Sequence, residues 1–113
     1  MLARANRVAH ADDFKRIVRR GVRIGTPHAL LYVAARDSVD PTRFGFIVSK
    51  AVGNAVTRNR MTRRLRSIGR MYLTQDDHGV DVVVRALPGS PEVPWDTLRS
   101  EIFDGLERSA SKR

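Results

Sequence analysis

The chain has 113 residues, with 21 Lys and Arg against 12 Asp and Glu, a formal net charge of +9. A hydrophobic content of 42% supports one real core and excludes wholesale disorder, while the absence of cysteine excludes a disulfide framework, a thiolate metal site and a cysteine nucleophile. The longest apolar run is seven residues, 29–35, far short of the roughly 20 of a membrane span. No apolar stretch follows the charged N-terminus, so no secretory signal is expected. The expectation is one cytoplasmic domain, 1–113, with an ordered core from about 6 to 108 and frayed tails.

Asp12 and Asp13 precede Phe14, Ile17 and Val18, which share one helical face, and Arg19, Arg20 and Gly21 follow. This order predicts a short helix over 12–20. The continuous apolar run predicts a buried strand over 28–35, and the segment 36–42 reads as a turn. A second strand is predicted over 43–49, antiparallel to the first because the connection is short. Asn54 is placed as an N-cap, and from 55 to 73 the period becomes helical. Met61, Leu65, Ile68 and Tyr72 fall within about 60° of one another on that helix. Asn59, Arg63, Arg66 and Arg70 take the opposite side, with Arg60 and Arg64 on one flank. After a polar loop over 75–79, the β-branched run 80–87 predicts a strand parallel to 43–49, since a helix intervenes. A Pro-rich loop and an amphipathic helix over 95–106 close the domain, and 109–113 reads as a frayed tail. The expected class is α+β: a single-domain α/β sandwich of one mixed sheet with helices packed on it, built round a β-α-β crossover.

The charge is uneven. Residues 1–75 carry +12 and residues 76–113 carry −3. From 41 to 75 there is no Asp or Glu, yet there are eight basic residues: Arg43, Lys50, Arg58, Arg60, Arg63, Arg64, Arg66 and Arg70. With no local carboxylate these cations repel one another unless a polyanion is present, and the natural polyanion is nucleic acid. On the first helix, Phe14 and Val18 lie beside Lys15, Arg16 and Arg19, and Tyr32 is placed to face the same groove. Aromatics beside arginines stack unpaired bases, although by composition alone Phe14 and Tyr32 read as core residues.

Independent catalysis finds no support. His10, His28 and His78 lack metal-ligand spacing, and there is no phosphate-binding glycine loop. Asp76, Asp77, His78 and Asp81 form the only candidate metal cluster, and they read as a solvated turn. No catalytic residue and no metal ligand is expected.

The segment Lys50-Ala51-Val52-Gly53-Asn54-Ala55-Val56-Thr57-Arg58-Asn59-Arg60-Met61-Thr62-Arg63-Arg64-Leu65-Arg66 resembles the signature of the protein subunit of bacterial ribonuclease P. Asn6-Arg7 with 13–21 resembles that family's opening helix, 44–50 its strand leading into the signature, and 82–85 its late strand. The resemblance runs from about 6 to 106. It implies an RNA-binding subunit of a ribonucleoprotein whose catalytic RNA removes the 5′ leader of precursor tRNA. The Mg²⁺ used is held largely by the RNA, and no cofactor is implied for the free protein. No membrane and no obligate protein partner are implied. The family's crossover is left-handed, against the general right-handed rule.

By the resemblance, Lys50, Asn54, Arg58, Asn59, Arg60, Arg63 and Arg66 face the catalytic RNA, and Arg70 continues that basic face. Phe14, Val18 and Tyr32, with Lys15 and Arg19, line the cleft for the single-stranded leader. Val18 departs from the pattern, since the family often has a second aromatic there. A base–aromatic stack contributes about 1–3 kcal/mol, so leader binding leans more on Lys15 and Arg19. The alternative is a general RNA chaperone or ribosomal protein with no role in cleavage.

Overall fold

The computed structural model describes residues 2–36, 40–75 and 79–112. Asp12 and Asp13 in the first turn and Arg19 and Arg20 in the last complement the backbone dipole of helix α1 (Ala11–Arg20). The Gly21 N–H donates to the Ile17 carbonyl at 2.8 Å. A Cβ at Gly21 would stand 2.6 Å from that same oxygen, so the tight exit from α1 requires glycine.

That exit leads into a strand the periodicity does not predict, β1 (Val22–Gly25). It pairs antiparallel with β2 (Ala29–Ala35), from Val22↔Val33 to Gly25↔Leu30. Thr26 closes the hairpin: its Oγ1 donates to the Ala29 carbonyl at 2.8 Å and accepts the Ala29 N–H at 3.0 Å. With four residues and a terminal glycine, β1 is too short to show a period.

The chain continues through β3 (Arg43–Ile47), α2 (Ala55–Gln75), β4 (Val80–Ala86) and α3 (Trp95–Ala110). Asn54 caps α2, its Oδ1 accepting the Thr57 N–H at 2.9 Å. The sheet order is β1-β2-β4-β3. The expected parallel pairing of β3 and β4 is present, from Arg43↔Asp81 to Ile47↔Arg85. The strands at 28–35 and 43–49 run in opposite directions, as expected, but they are not neighbours: β4 lies between them and pairs antiparallel with β2 along its whole length. Burial explains the placement. Val80, Val82, Val84 and Ala86 make β4 apolar on the face toward α2 and α3, and Asp81 and Val83 are fully buried on the other, which suits a central strand. At the edge, the Val8 N–H donates to the Phe44 carbonyl of β3 at 2.9 Å.

Helices α2 and α3 cover one face of the sheet. Met61, Leu65 and Ile68 of α2 and Leu98, Ile102 and Leu106 of α3 join Leu31, Val33, Phe44, Val82 and Val84 in the main core. The other face is covered by α1, where Ile17 packs with Val8, Tyr32, Ala34 and Val83. Leu2 belongs to the main core, α3 runs to Ala110, and Ser109 is buried with its hydroxyl donating to the Leu106 carbonyl at 2.6 Å. Among the described residues, no helix is long and apolar enough to cross a membrane.

Candidate nucleic-acid interface

Met61, Leu65, Ile68 and Tyr72 of α2 turn toward the core, and the opposite face of the helix points outward. Lys50, Asn54, Asn59, Arg60, Arg63 and Arg70 are exposed, and Arg58 and Arg66 are half-buried. Two of the eight cations between 41 and 75 do have partners, contrary to the expectation that all are unpaired. Arg64 donates to the carbonyls of Val93 at 2.6 Å and Pro91 at 3.3 Å, tying α2 to the start of α3. Arg43 turns to the other face of the sheet and pairs with Asp81. Among the described residues, the other six side chains make no ion pair or hydrogen bond, and the buried Arg58 Nε lacks an acceptor. A helix face with this many unpaired guanidinium groups attracts anions.

A second basic surface lies beside α1. The helix is only ten residues long, and past its edge a hollow of about 380 Å³ opens over the sheet. Phe14, Lys15, Val18 and Arg19 of α1, Ile47 of β3 and Arg85 of β4 line it. The floor is apolar, three cations flank it, and no carboxylate lines it. Four of the five expected cleft residues are thereby brought together. Tyr32 is not among them: it is 8% exposed and packs with Ile17 and Val83 in the smaller core.

Ile47 and Arg85 are additional to the expected set. They are register partners across β3 and β4, and residues 81, 83 and 85 share the α1 face of the sheet. Arg85 is the one basic residue of β4, and its place in a β-branched run is the signal the sequence offers. Phe14 is seated on Gly45, where a Cβ would stand 2.6–2.7 Å from the ring. The glycine gives the aromatic ring direct access to the strand backbone.

Asp81 holds this face together. It is 0% exposed, and Arg43 grips it through two hydrogen bonds, of 2.9 and 2.8 Å. Arg16 of α1 donates to it at 2.7 Å, and Arg36 lies 3.4 Å away. Burial pushes the carboxyl up. The hydrogen bonds from Arg43 and Arg16 and the charges of Arg43 and Arg36 outweigh it and hold Asp81 below the ordinary carboxylate value. The expectation that Asp81 belongs to a solvated turn is therefore corrected, since its carboxylate is enclosed by arginines. Asp76, Asp77 and His78 lie outside the described residues. His28 is paired, its Nδ1 lying 2.9 Å from Glu101 Oε1. Among the described residues, no three His, Asp or Glu side chains come together to hold a metal ion.

The family model described as Ribonuclease P matches residues 2–110. The chain is 46% identical to the ribonuclease P protein component of Pseudarthrobacter chlorophenolicus over 112 residues, covering 99% of this chain and 82% of that one. It is 46% identical to that of Clavibacter michiganensis subsp. michiganensis over 109 residues, covering 96% of each. The identity to the Beutenbergia cavernae protein is 50% over 106 residues, covering 94% and 89%. Among solved structures, the Staphylococcus aureus RNase P protein superposes with a TM-score of 0.83 at 24% identity, covering 94% of this chain and 96% of that one. The Thermotoga maritima RNase P protein gives 0.78 at 24% identity, covering 90% and 96%. With sequence matched over nearly its whole length and the same fold in both solved proteins, the chain belongs to the ribonuclease P protein component family.

Proposed function

We propose that the chain serves the ribonuclease P ribonucleoprotein by holding two RNAs at once. The RNase P RNA lies along the outward face of α2, and the single-stranded 5′ leader of precursor tRNA lies in the hollow beside α1. The RNA cuts the leader, and the protein supplies binding. The observation that carries the reading is the α1 hollow, with its apolar floor of Phe14, Val18 and Ile47 between Lys15, Arg19 and Arg85. Flat apolar contacts suit unpaired bases and flanking cations suit their phosphates, which is the usual way single strands are held. The reaction's Mg²⁺ does not fit a site on either surface. Their side chains are cationic and amide or apolar, with no carboxylate among them, so a divalent ion is repelled and is assigned to the RNA.

The test is reconstitution. The full chain is combined with transcribed RNase P RNA and a precursor tRNA, at a Mg²⁺ concentration too low for the RNA alone. Cleavage at the mature 5′ end is expected only when both components are present. Cleavage by the chain alone would overturn the reading. Tight binding to unrelated RNAs without cleavage would favour a general RNA chaperone. In the same assay, Phe14→Ala is expected to weaken precursor binding by roughly 5- to 150-fold, the loss of one base stack. Mature tRNA binding should be unchanged, and equal losses for both would mean the fold itself had been damaged.

A further inference from the structure

A second, smaller hollow of about 120 Å³ lies on the other side of Phe14. Phe14 lines both hollows, so its ring is a partition between them. The smaller one is bounded by Gly45 and Phe46 of β3, Thr62 and Arg66 of α2, and Arg7. Its wall is firm. Phe46 stacks on the fully buried Phe44 with centroids 6.1 Å apart and planes 6° from parallel, and Gly45 fixes the seat of Phe14. Its size is that of one aromatic ring, since apolar cavities of roughly 150 Å³ take up benzene.

Its electrostatics are not those of a void in a core. Two guanidinium groups line it and no carboxylate does. The Arg7 Nε donates to the Leu2 carbonyl at 2.9 Å, which holds that side chain at the rim. Arg66 is half-buried, yet its side chain makes no hydrogen bond or ion pair with any described residue. An aromatic-walled hollow of one-ring size with an unpaired guanidinium matches a nucleobase, which has a flat face to stack and acceptor atoms at its edge. The shared wall fixes the source. A strand lying in the α1 hollow reaches the smaller one by passing the edge of the Phe14 ring.

We propose that the smaller hollow is a nucleobase slot for the precursor leader, with Phe14 inserted between two leader bases and Arg66 contacting the base in the slot. The proposal rests on the leader-binding reading above. It moves Arg66 from the RNase P RNA, where the family resemblance puts it, to the leader.

The experiment uses the reconstituted holoenzyme and precursors that carry a single 2-aminopurine at successive leader positions. With the unaltered chain, two neighbouring positions should change fluorescence on binding, one for each hollow. Arg66→Ala, and Thr62→Leu which fills the slot, should abolish the response at one of the two. Each should also weaken precursor binding about fivefold or more relative to mature tRNA. Arg66→Lys keeps the charge and the helix but removes the planar group, and it should also lose that response, which guards against a packing artefact in Thr62→Leu. If both responses persist in all three variants while binding to RNase P RNA weakens, Arg66 belongs to the RNase P RNA and the slot is overturned. If no leader position responds even with the unaltered chain, the leader-binding reading itself has failed.

Discussion

Replacing Asp81 with asparagine should destabilise the folded chain by about 3 kcal/mol, because it removes the one buried anion among Arg16, Arg36 and Arg43. Breaking a buried ion pair from one side leaves uncompensated charge. The lower end of the usual range applies because the arginines keep contact with water. Against a total stability of roughly 5–15 kcal/mol for an ordinary domain, that is a large fraction. Urea unfolding near pH 7 should show a lower midpoint at an unchanged slope. A variant within about 0.5 kcal/mol of the parent would show that the network contributes nothing net.

The same network sets an acid limit. Asp81 has a lower pKa folded than unfolded, so its stabilisation is complete above the unfolded carboxylate value, near 4, and is lost as pH falls toward the folded value. The unaltered chain should lose this contribution below about pH 4, and Asp81→Asn should lack that part of the decline. Arg16 ties the middle of α1 to the sheet through Asp81. The helix that carries Phe14 and Val18 is thus positioned by a carboxylate that touches no RNA in our reading.

The second large effect is expected at the outward face of α2. Arg60 and Arg63 are exposed and make no ion pair or hydrogen bond among the described residues. Replacing both with alanine should change folding stability by no more than about 0.5 kcal/mol. Assembly with RNase P RNA should weaken, and the slope of log K against log salt should flatten by about 0.7–0.9 for each phosphate no longer neutralised. Titration of the RNA at several salt concentrations between roughly 50 and 200 mM measures that slope directly. An unchanged slope would remove both residues from the interface. Their neighbour Arg64 provides the contrast. Arg64→Ala should leave the slope alone and lower stability by about 1–3 kcal/mol, because its guanidinium serves the carbonyls of Pro91 and Val93.

Arg64 also shows where the sequence stops being informative. Periodicity places it correctly on a flank of α2, and composition assigns it to an unpaired basic field. Only tertiary structure brings the 91–93 carbonyls within its reach. Asp81 fails in the same way: one carboxylate beside Asp76, Asp77 and His78 looks like part of a polar turn until β4 takes the centre of the sheet. The features that were legible depend on local chemistry. They include the Asn54 cap, the apolar stripe of Met61, Leu65 and Ile68, and the grouping of Phe14, Lys15, Val18 and Arg19 on one short helix. Tyr32 and Arg85 lie on neighbouring strands, and which of them reaches the hollow depends on where α1 ends. No spacing in the chain states that.

The central position of β4 also bears on how the protein is made. During synthesis β2 and β3 leave the ribosome well before the strand that joins them, and Arg16, Arg36 and Arg43 emerge before the buried carboxylate that all three share. Until residue 81 is released, the nascent segment can close only the β1–β2 hairpin, and its positive charges oppose collapse. The decisive pairings are distant in sequence, one of them parallel, and such contacts form slowly. The sheet therefore closes only when β4 arrives, after a segment with a net charge of +12 has already emerged.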